Sequence, residues 1–264
     1  MANKKDSLGD RMKNNYEVRS RTALMRRCPV IIRIDGKAFH TFTKGFNRPY
    51  DKVMHDSMND TLKYLCENIQ GCKFGYTQSD EISLLLTDFD TLATDAWFDY
   101  EVQKMCSIAA SMATLQFNKA FRTHANQECA GKKMDEYQMT LCLARDKGAL
   151  FDARAYNIPE DEVVNYFIWR QQDATRNAIQ MLGQTYFSHK QLDKKTCNMI
   201  QDMLFQEHGV NFNNMEDCFK RGVGCYREIY ETDNSVKRSR WVIDEHIPIF
   251  SKDRNYIKFE KEYK

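Results

Sequence analysis

Proline is scarce in this 264-residue chain, at 4 residues, and glycine numbers only 11. So few chain breakers argue against long linkers and low-complexity segments, and no repeat of fixed period is visible. No apolar run approaches the ~18 residues a membrane span needs. The opening stretch Met1-Ala2-Asn3-Lys4-Lys5-Asp6-Ser7 is polar and has no apolar core of the secretory kind. The 9 cysteines are odd in number and form no C-x-x-C pair, which fits reduced thiols in a cytoplasm better than a disulfide framework. None of the 6 histidines stands at zinc-ligand spacing from a cysteine pair or from another histidine. The phosphate-loop pattern G-x-x-x-x-G-K-[ST] is missing as well.

What is present is the balance of a soluble globular protein, with 42% hydrophobic and 29% charged residues. The length allows one large domain or two modest ones. A net charge of +2 says little about partners. Its distribution says more: Arg11, Lys13, Arg19, Arg21, Arg26 and Arg27 load the first segment, and Lys237, Arg238 and Arg240 cluster near the end. Such clusters either track a phosphate backbone or form solvated faces.

Ser7 is a suitable N-cap for a first helix reaching about Leu24, with Leu8, Met12 and Tyr16 at i, i+4 spacing. Pro29 to Ile34 reads as a buried strand ended by Asp35-Gly36. Pro49 sits well in the first turn of a second helix reaching about Ile69. The runs Lys73–Thr77 and Ile82–Leu86 read as strands joined by a turn at Gln78-Ser79-Asp80-Glu81. A long helix spans about Ala96 to Arg122, and Leu150–Ala155 is a further strand. Helices are expected over Pro159–Leu182 and Leu192–Phe205, and strands at Cys225–Tyr230 and Arg240–Ile243. The leading order, strand–helix–strand–strand–helix–strand, is the ferredoxin-like α+β arrangement. It divides the chain into a core over 1–155 and a helical and β part over 156–264 packed on it.

That topology places the first and third strands side by side, so Asp35 and the pair Asp80-Glu81 meet at one edge of the sheet. Crowded carboxylates repel unless a cation joins them. Oxygen ligands with no cysteine or histidine nearby select Mg²⁺, which shares its shell with water and phosphate. Two such ions roughly 3.5–4 Å apart clamp both sides of an in-line phosphoryl displacement. Gly36, lacking a Cβ, lets backbone approach a metal or phosphate closely. The segment Gly36-Lys37-Ala38-Phe39-His40-Thr41-Phe42 offers consecutive N–H groups as an anion cradle, with Lys37, Lys44 and Arg48 adding positive charge. Phe39 and Phe42 read as core residues more readily than as stacking platforms.

Four ordered blocks carry a resemblance: Arg33-Ile34-Asp35-Gly36-Lys37-Ala38-Phe39-His40; Gly75-Tyr76-Thr77-Gln78-Ser79-Asp80-Glu81-Ile82-Ser83; Phe151-Asp152-Ala153-Arg154; and Trp169-Arg170-Gln171-Gln172-Asp173. Together they resemble the tRNA-histidine guanylyltransferase family, over about residues 8 to 225. The resemblance implies a palm domain shared with polymerases and nucleotide cyclases, working on RNA in the 3′-to-5′ direction. The RNA 5′ end is activated as an adenylate or triphosphate, and the 3′-hydroxyl of GTP or another NTP attacks it. On this sequence it implies that Asp35, the carbonyl of Gly36 and Asp80 ligate two Mg²⁺. Residues Asp35 to His40 with Ser79 and Asp80 would hold a nucleotide, and Glu81 would join Asp35 and Asp80 as a catalytic residue, either behind them or as an occasional metal ligand. Arg48 would meet the activating triphosphate, and Lys220 and Arg221 would contact phosphate. The family's usual assembly implies a homotetramer.

One stretch departs from the family. Where eukaryotic members that guanylate tRNA-histidine carry His-Ile-Asn-Asn-Leu-Tyr-Asn-Thr, this chain has Thr175-Arg176-Asn177-Ala178-Ile179-Gln180-Met181-Leu182. Only Asn177 survives, and Thr175 replaces the histidine. The pattern is similar to the branch that repairs 5′-truncated tRNA by templated addition, so tRNA 5′-end repair is the first expectation. Guanosine addition at position −1 of histidine tRNA is the alternative, followed by a nucleotide cyclase-like enzyme and a non-catalytic RNA-binding protein.

Overall fold

Alternation along the apolar stretch after Pro29 decides which side of the sheet each residue serves. In β1 (Val30–Gly36), Val30, Ile32 and Ile34 enter one core, while Ile31 enters another on the opposite face. With a side-chain period of two, Arg33 and Asp35 continue the face of Ile31. The same rule in β3 (Glu81–Leu86) sends Ile82, Leu84 and Leu86 to the first core and Leu85 to the second. Glu81 and Ser83 therefore share a face with Asp35 and Arg33. The computed structural model describes residues 7–131, 134–231 and 236–257, so the polar opening at 1–6 lies outside the described residues.

These strands belong to one six-stranded antiparallel sheet of order β4-β1-β3-β2-β5-β6. Its other members are β2 (Cys72–Gln78), β4 (Phe151–Asn157), β5 (Val223–Glu231) and β6 (Lys237–Asp244). The helices in chain order are α1 (Leu8–Met12), α2 (Phe39–Phe42), α3 (Lys52–Asn68), α4 (Val102–Cys129), α5 (Glu136–Lys147), α6 (Val163–Tyr186), α7 (His189–Leu192), α8 (Cys197–His208) and α9 (Asp217–Arg221). Helices α3 and α4 cover one face, where Leu62, Leu65, Met105 and Phe117 join the strand residues. Helix α6 covers the other through Val163, Tyr166 and Phe167. The far end of α6 and α8 close a third, smaller core around Leu182, Ile200 and Leu204. The α+β expectation holds, with β1 and β3 adjacent in the sheet as anticipated.

Several boundaries differ for physical reasons. Ser7 does cap, accepting the Asp10 N–H at 3.0 Å, but α1 ends at Met12 and continues only as looser helical turns to Ser20. Its Leu8, Met12 and Tyr16 are exposed, so their spacing marks no core face. Pro49 does not open α3; Asp51 caps it instead, its carboxylate accepting the Met54 N–H at 2.9 Å. The long helix begins at Val102, because Phe98, Asp99 and Tyr100 adopt positive φ. Helix α5, closed at its start by an Asp135/Gln138 capping box, lies where the sequence pattern marks no element. All nine cysteines are free, and no described helix is long and apolar enough to cross a membrane.

Helix α3 lies so close on β2 that a Cβ at Gly75 would stand 2.4 Å from Cys66 Sγ and 2.7 Å from Leu62 Cδ1. Those atoms belong to a tightly packed interface that cannot simply part. Gly75→Ala is therefore expected to destabilise the fold by about 1–3 kcal/mol in urea unfolding, through overpacking.

Candidate functional site

Register brings the acidic residues together. Asp35 pairs across the sheet with Glu81, and the Gly36 N–H donates to the Asp80 carbonyl at 3.0 Å. The intervening turn is tight: Ser79 takes φ +51°, and its hydroxyl donates to the Asp80 carboxylate at 3.0 Å. Burial raises the Asp80 pKa, and the neighbouring Asp35 and Glu81 charges raise it further against the Ser79 hydrogen bond. The carboxylate of Asp35 has no hydrogen bond or ion pair among the described residues. The site thus holds negative charge that the protein does not neutralise.

Glu81 is different. Both its oxygens are engaged from α6, with Arg170 Nε donating at 2.7 Å and Arg170 Nη2 at 2.9 Å, and Arg33 Nη2 adds a contact at 2.8 Å. Glu81 and Arg170 are each about 5% exposed or less at the side chain. Burial raises the Glu81 pKa, while Arg170 and Arg33 draw it down. Arg170 also donates to Asp173 at 2.9 Å and lies over the Trp169 ring at 4.4 Å. The Ser83 and Tyr166 hydroxyls share a hydrogen bond of 2.7 Å beside this network. These contacts tie α6 to the strand that carries Asp80. The sequence places Arg170 in a motif without indicating its role; an arginine inside an apolar strand, Arg33, is the available signal for its carboxylate partner.

Beyond β1 the chain turns at Ala38, whose φ of +54° starts α2. The Lys37 N–H donates to Leu150. The N–H groups of Ala38, Phe39 and His40 have no acceptor among the described residues, as expected for a helix start. Gly36 is small for a reason other than metal approach: a Cβ there would stand 2.2 Å from Phe39 Cδ2. Phe39 itself is buried, packing on Phe42, Phe117 and Phe151 at centroid distances of 5.1, 5.6 and 5.1 Å. Its ring cannot stack on a ligand, and only its backbone faces the turn. Lys37 and His40 are exposed.

A cleft of about 590 Å³ opens beside this turn. Gly36, Ala38, His40, Ser79 and Asp80 line one part, Arg48 another, and Asn177, Met181 and Gln184 of α6 the opposite wall. Arg48 is exposed and has no carboxylate partner among the described residues. Lys220 and Arg221 do not line the cleft: both pair with Asp217, Lys220 Nζ at 3.1 Å, and Lys220 also donates to the Asn213 carbonyl at 2.8 Å. An anion reaching them competes with Asp217. Thr175, in the histidine position of the departing stretch, donates to the Lys220 carbonyl at 3.0 Å and so joins α6 to α9. The terminal basic clusters are partly neutralised, Arg26 by Asp88 at 2.6 Å and Arg240 by Glu228 at 2.7 Å.

Comparison with known proteins converges on one family. The family described as tRNAHis guanylyltransferase matches residues 9–159. A bacterial tRNA(His) guanylyltransferase-like protein solved in complex with ATP is 44% identical, with a TM-score of 0.80 over 95% of this chain and 97% of that one. One solved in complex with GTP is 42% identical, with a TM-score of 0.77 over 96% and 97%. The tRNA(His) guanylyltransferase of Debaryomyces hansenii is 27% identical over 80% of this chain and 79% of its own length.

Proposed function

The chain belongs to the tRNAHis guanylyltransferase family and is a nucleotidyltransferase, and from that premise we propose that it extends the 5′ end of truncated tRNA in the 3′-to-5′ direction. The observation that carries this reading is the meeting of Asp35 and Asp80 beside the open amides of Ala38 to His40. The relatives solved with ATP and GTP support nucleoside triphosphates as substrates. Thr175 and the stretch after it support templated repair over dedicated maturation of histidine tRNA. Pairing with the opposite RNA strand then selects the nucleotide, and the protein reads shape and backbone.

The residues present fit Mg²⁺. Asp35 lacks a cationic partner among the described residues, burial and like charge penalise an ionised Asp80, and the donors are all oxygen. Asp35, Asp80 and the Gly36 carbonyl would hold two ions, with phosphate and water completing the shells because Glu81 is taken by Arg170 and Arg33. When bound, the metal polarises the attacked phosphorus centre and neutralises the leaving pyrophosphate. The chain's own groups do the positioning. The amides of Ala38, Phe39 and His40 orient phosphate oxygens, with the Ser79 turn holding Asp80 against them. Arg48, exposed at the cleft, supplies positive charge at the triphosphate, and His40 and Lys37 flank it. Lys220 and Arg221 act at phosphate only as Asp217 releases them. Glu81 supports Asp80 from behind.

The test is nucleotide addition to 5′-truncated, 5′-triphosphorylated tRNA with the template base varied. Addition should follow the template base; a parent protein that adds nothing sinks the reading, and guanosine addition confined to histidine tRNA supports the alternative. Chelating divalent cations is expected to abolish addition and Mg²⁺ to restore it, read on the same gel. We place the protein in the cytoplasm as a homotetramer, supported by its free thiols and the exposed Leu8, Met12 and Tyr16. Light scattering after gel filtration checks the assembly, and a monomer at working concentration counts against it.

A further inference from the structure

Trp169 opens the fourth of the sequence blocks, and the chemistry above leaves it without a task. Its indole is half exposed, although tryptophan is on average a well-buried residue. It is nevertheless held in place. The guanidinium of Arg170 lies over the ring at 4.4 Å, and Tyr166 meets it nearly edge-on at 5.8 Å. Arg170 is itself fixed, since both Glu81 oxygens and Asp173 bind it. A large ring pinned from the protein side and open to solvent is built as a platform.

Its position follows from helix pitch and strand register. Phe167 reaches β2, meeting Phe74 at 5.0 Å, while Tyr166 leans to the other flank of α6, meeting Tyr156 of β4 at 6.4 Å. At about 100° per residue, Trp169 and Arg176 lie on that same β4 flank. Ala174 and Asn177 line the nucleotide cleft from a different side of α6, which leaves this flank free. Along the strands, Tyr166 is level with Ser83 and Arg170 with Glu81, so Trp169 stands between those levels. Register carries the levels outward: Ser83 pairs with Arg33 and Arg33 with Arg154, while Glu81 pairs with Asp35 and Asp35 with Asp152. Trp169 therefore overlooks edge strand β4 beside Asp35. There Arg154 is exposed, and among the described residues its guanidinium reaches only Asp152, at 3.7 Å. Arg176 is exposed too, paired with Asp173.

We propose that Trp169 is a stacking platform for an unpaired base of the RNA strand that templates addition, with Arg154 meeting that strand's phosphates. The inference rests on the reading of this protein as a templated 5′-end extender and adds where the template strand lies. A truncated 5′ end leaves the opposite strand unpaired, and unpaired bases present faces that aromatic rings cover. Stacking engages only a face, so the pairing edge stays free for the incoming nucleotide. It is also tolerant of base identity, as a varying template requires. The strip carries Asp152 and Asp173 beside its arginines, so charge alone does not single it out. The pinned ring does, because a solvated ion-paired face has no use for one.

Photo-crosslinking and kinetics on the full chain test this. 5-Iodouridine at the templating position of a 5′-truncated, 5′-triphosphorylated tRNA is expected to crosslink to Trp169, mapped by mass spectrometry. The yield should fall sharply when that position is paired in the full-length tRNA. Trp169→Ala should raise the KM for truncated tRNA about tenfold, with kcat and ATP affinity little changed, and Trp169→Phe should restore most of it. Arg154→Ala should weaken RNA binding and reduce its salt slope by about one. A crosslink elsewhere overturns the platform, as does an unchanged KM in Trp169→Ala. If circular dichroism shows that variant unfolded, the crosslink of the parent decides alone. A parent that adds no nucleotide removes the templated reading and the platform together. A parent that adds nucleotides while Trp169→Ala matches it removes the platform only.

Discussion

Asp35→Asn and Asp80→Asn are each expected to lower single-turnover nucleotide addition by roughly a thousandfold or more without unfolding the protein. Stabilising the developing charge at phosphorus contributes several kcal/mol, and each 1.36 kcal/mol is a factor of about ten in rate. An amide keeps the shape of either side chain but cannot supply the negative charge that gathers cations at this edge. The stability consequence has the opposite sign. Burial and Asp35 raise the Asp80 pKa in the folded chain, so the native state binds protons more readily than the unfolded one. Stability from this group is therefore lost as pH rises from the unfolded pKa through the folded one, and it is at its lowest at neutral pH. Asp80→Asn removes that penalty. Thermal unfolding at pH 7 should give a midpoint equal to or above that of the parent, with little pH dependence arising from this position. A variant that is inactive and also markedly less stable would show that Asp80 serves the fold instead, and full activity in either variant would remove the carboxylate pair from the mechanism.

The carboxylate pair was legible because it depends on little more than topology. A β-branched run specifies β1, a leucine-rich apolar run specifies β3, the antiparallel hairpin specifies β2, and adjacency of β1 and β3 then brings Asp35 to Asp80 whatever the loops do. Features that depend on three-dimensional company were harder to read. Helix α5 escaped because Met139 and Leu143 are exposed while Gln138 is buried, which blurs the apolar period. Leu8, Met12 and Tyr16 misled in the reverse sense, keeping a helical period with no core to serve. Lys220 and Arg221 were expected to contact phosphate, and the expectation overlooked Asp217, which stands three and four positions before them on one short helix and pairs with both. Phe39 sits within the nucleotide-binding motif, yet its ring is what excludes a Cβ at Gly36. Motif membership gave its position and said nothing of where the side chain goes. Tyr50 and Phe219 stack at the cleft although far apart in the chain, and no spacing announces it.

Arg170→Met is expected to cost about 3–5 kcal/mol in denaturant unfolding, the second large effect, because it strands a buried carboxylate. Glu81 would keep only Arg33 as a cationic partner, and α6 would lose its ionic tie to β3 while keeping the Ser83–Tyr166 hydrogen bond. Lysine should not rescue fully, since it cannot reproduce the two-pronged contact that Arg170 makes with both Glu81 oxygens. The same network decides what Glu81 does. Glu81→Gln keeps the shape and gives up the charge. With both oxygens already committed to guanidinium groups, Glu81 has none to offer a cation, so this variant should lose activity in step with its loss of stability. Its half-saturating Mg²⁺ concentration should stay at the parent value. A large rise in that concentration, with stability preserved, would instead make Glu81 a metal ligand. An unchanged Mg²⁺ requirement together with the cost of Arg170→Met gives Glu81 a structural role. It holds the Asp80 turn rigid against α6, so that the carboxylates of Asp35 and Asp80 are presented to cations in one geometry.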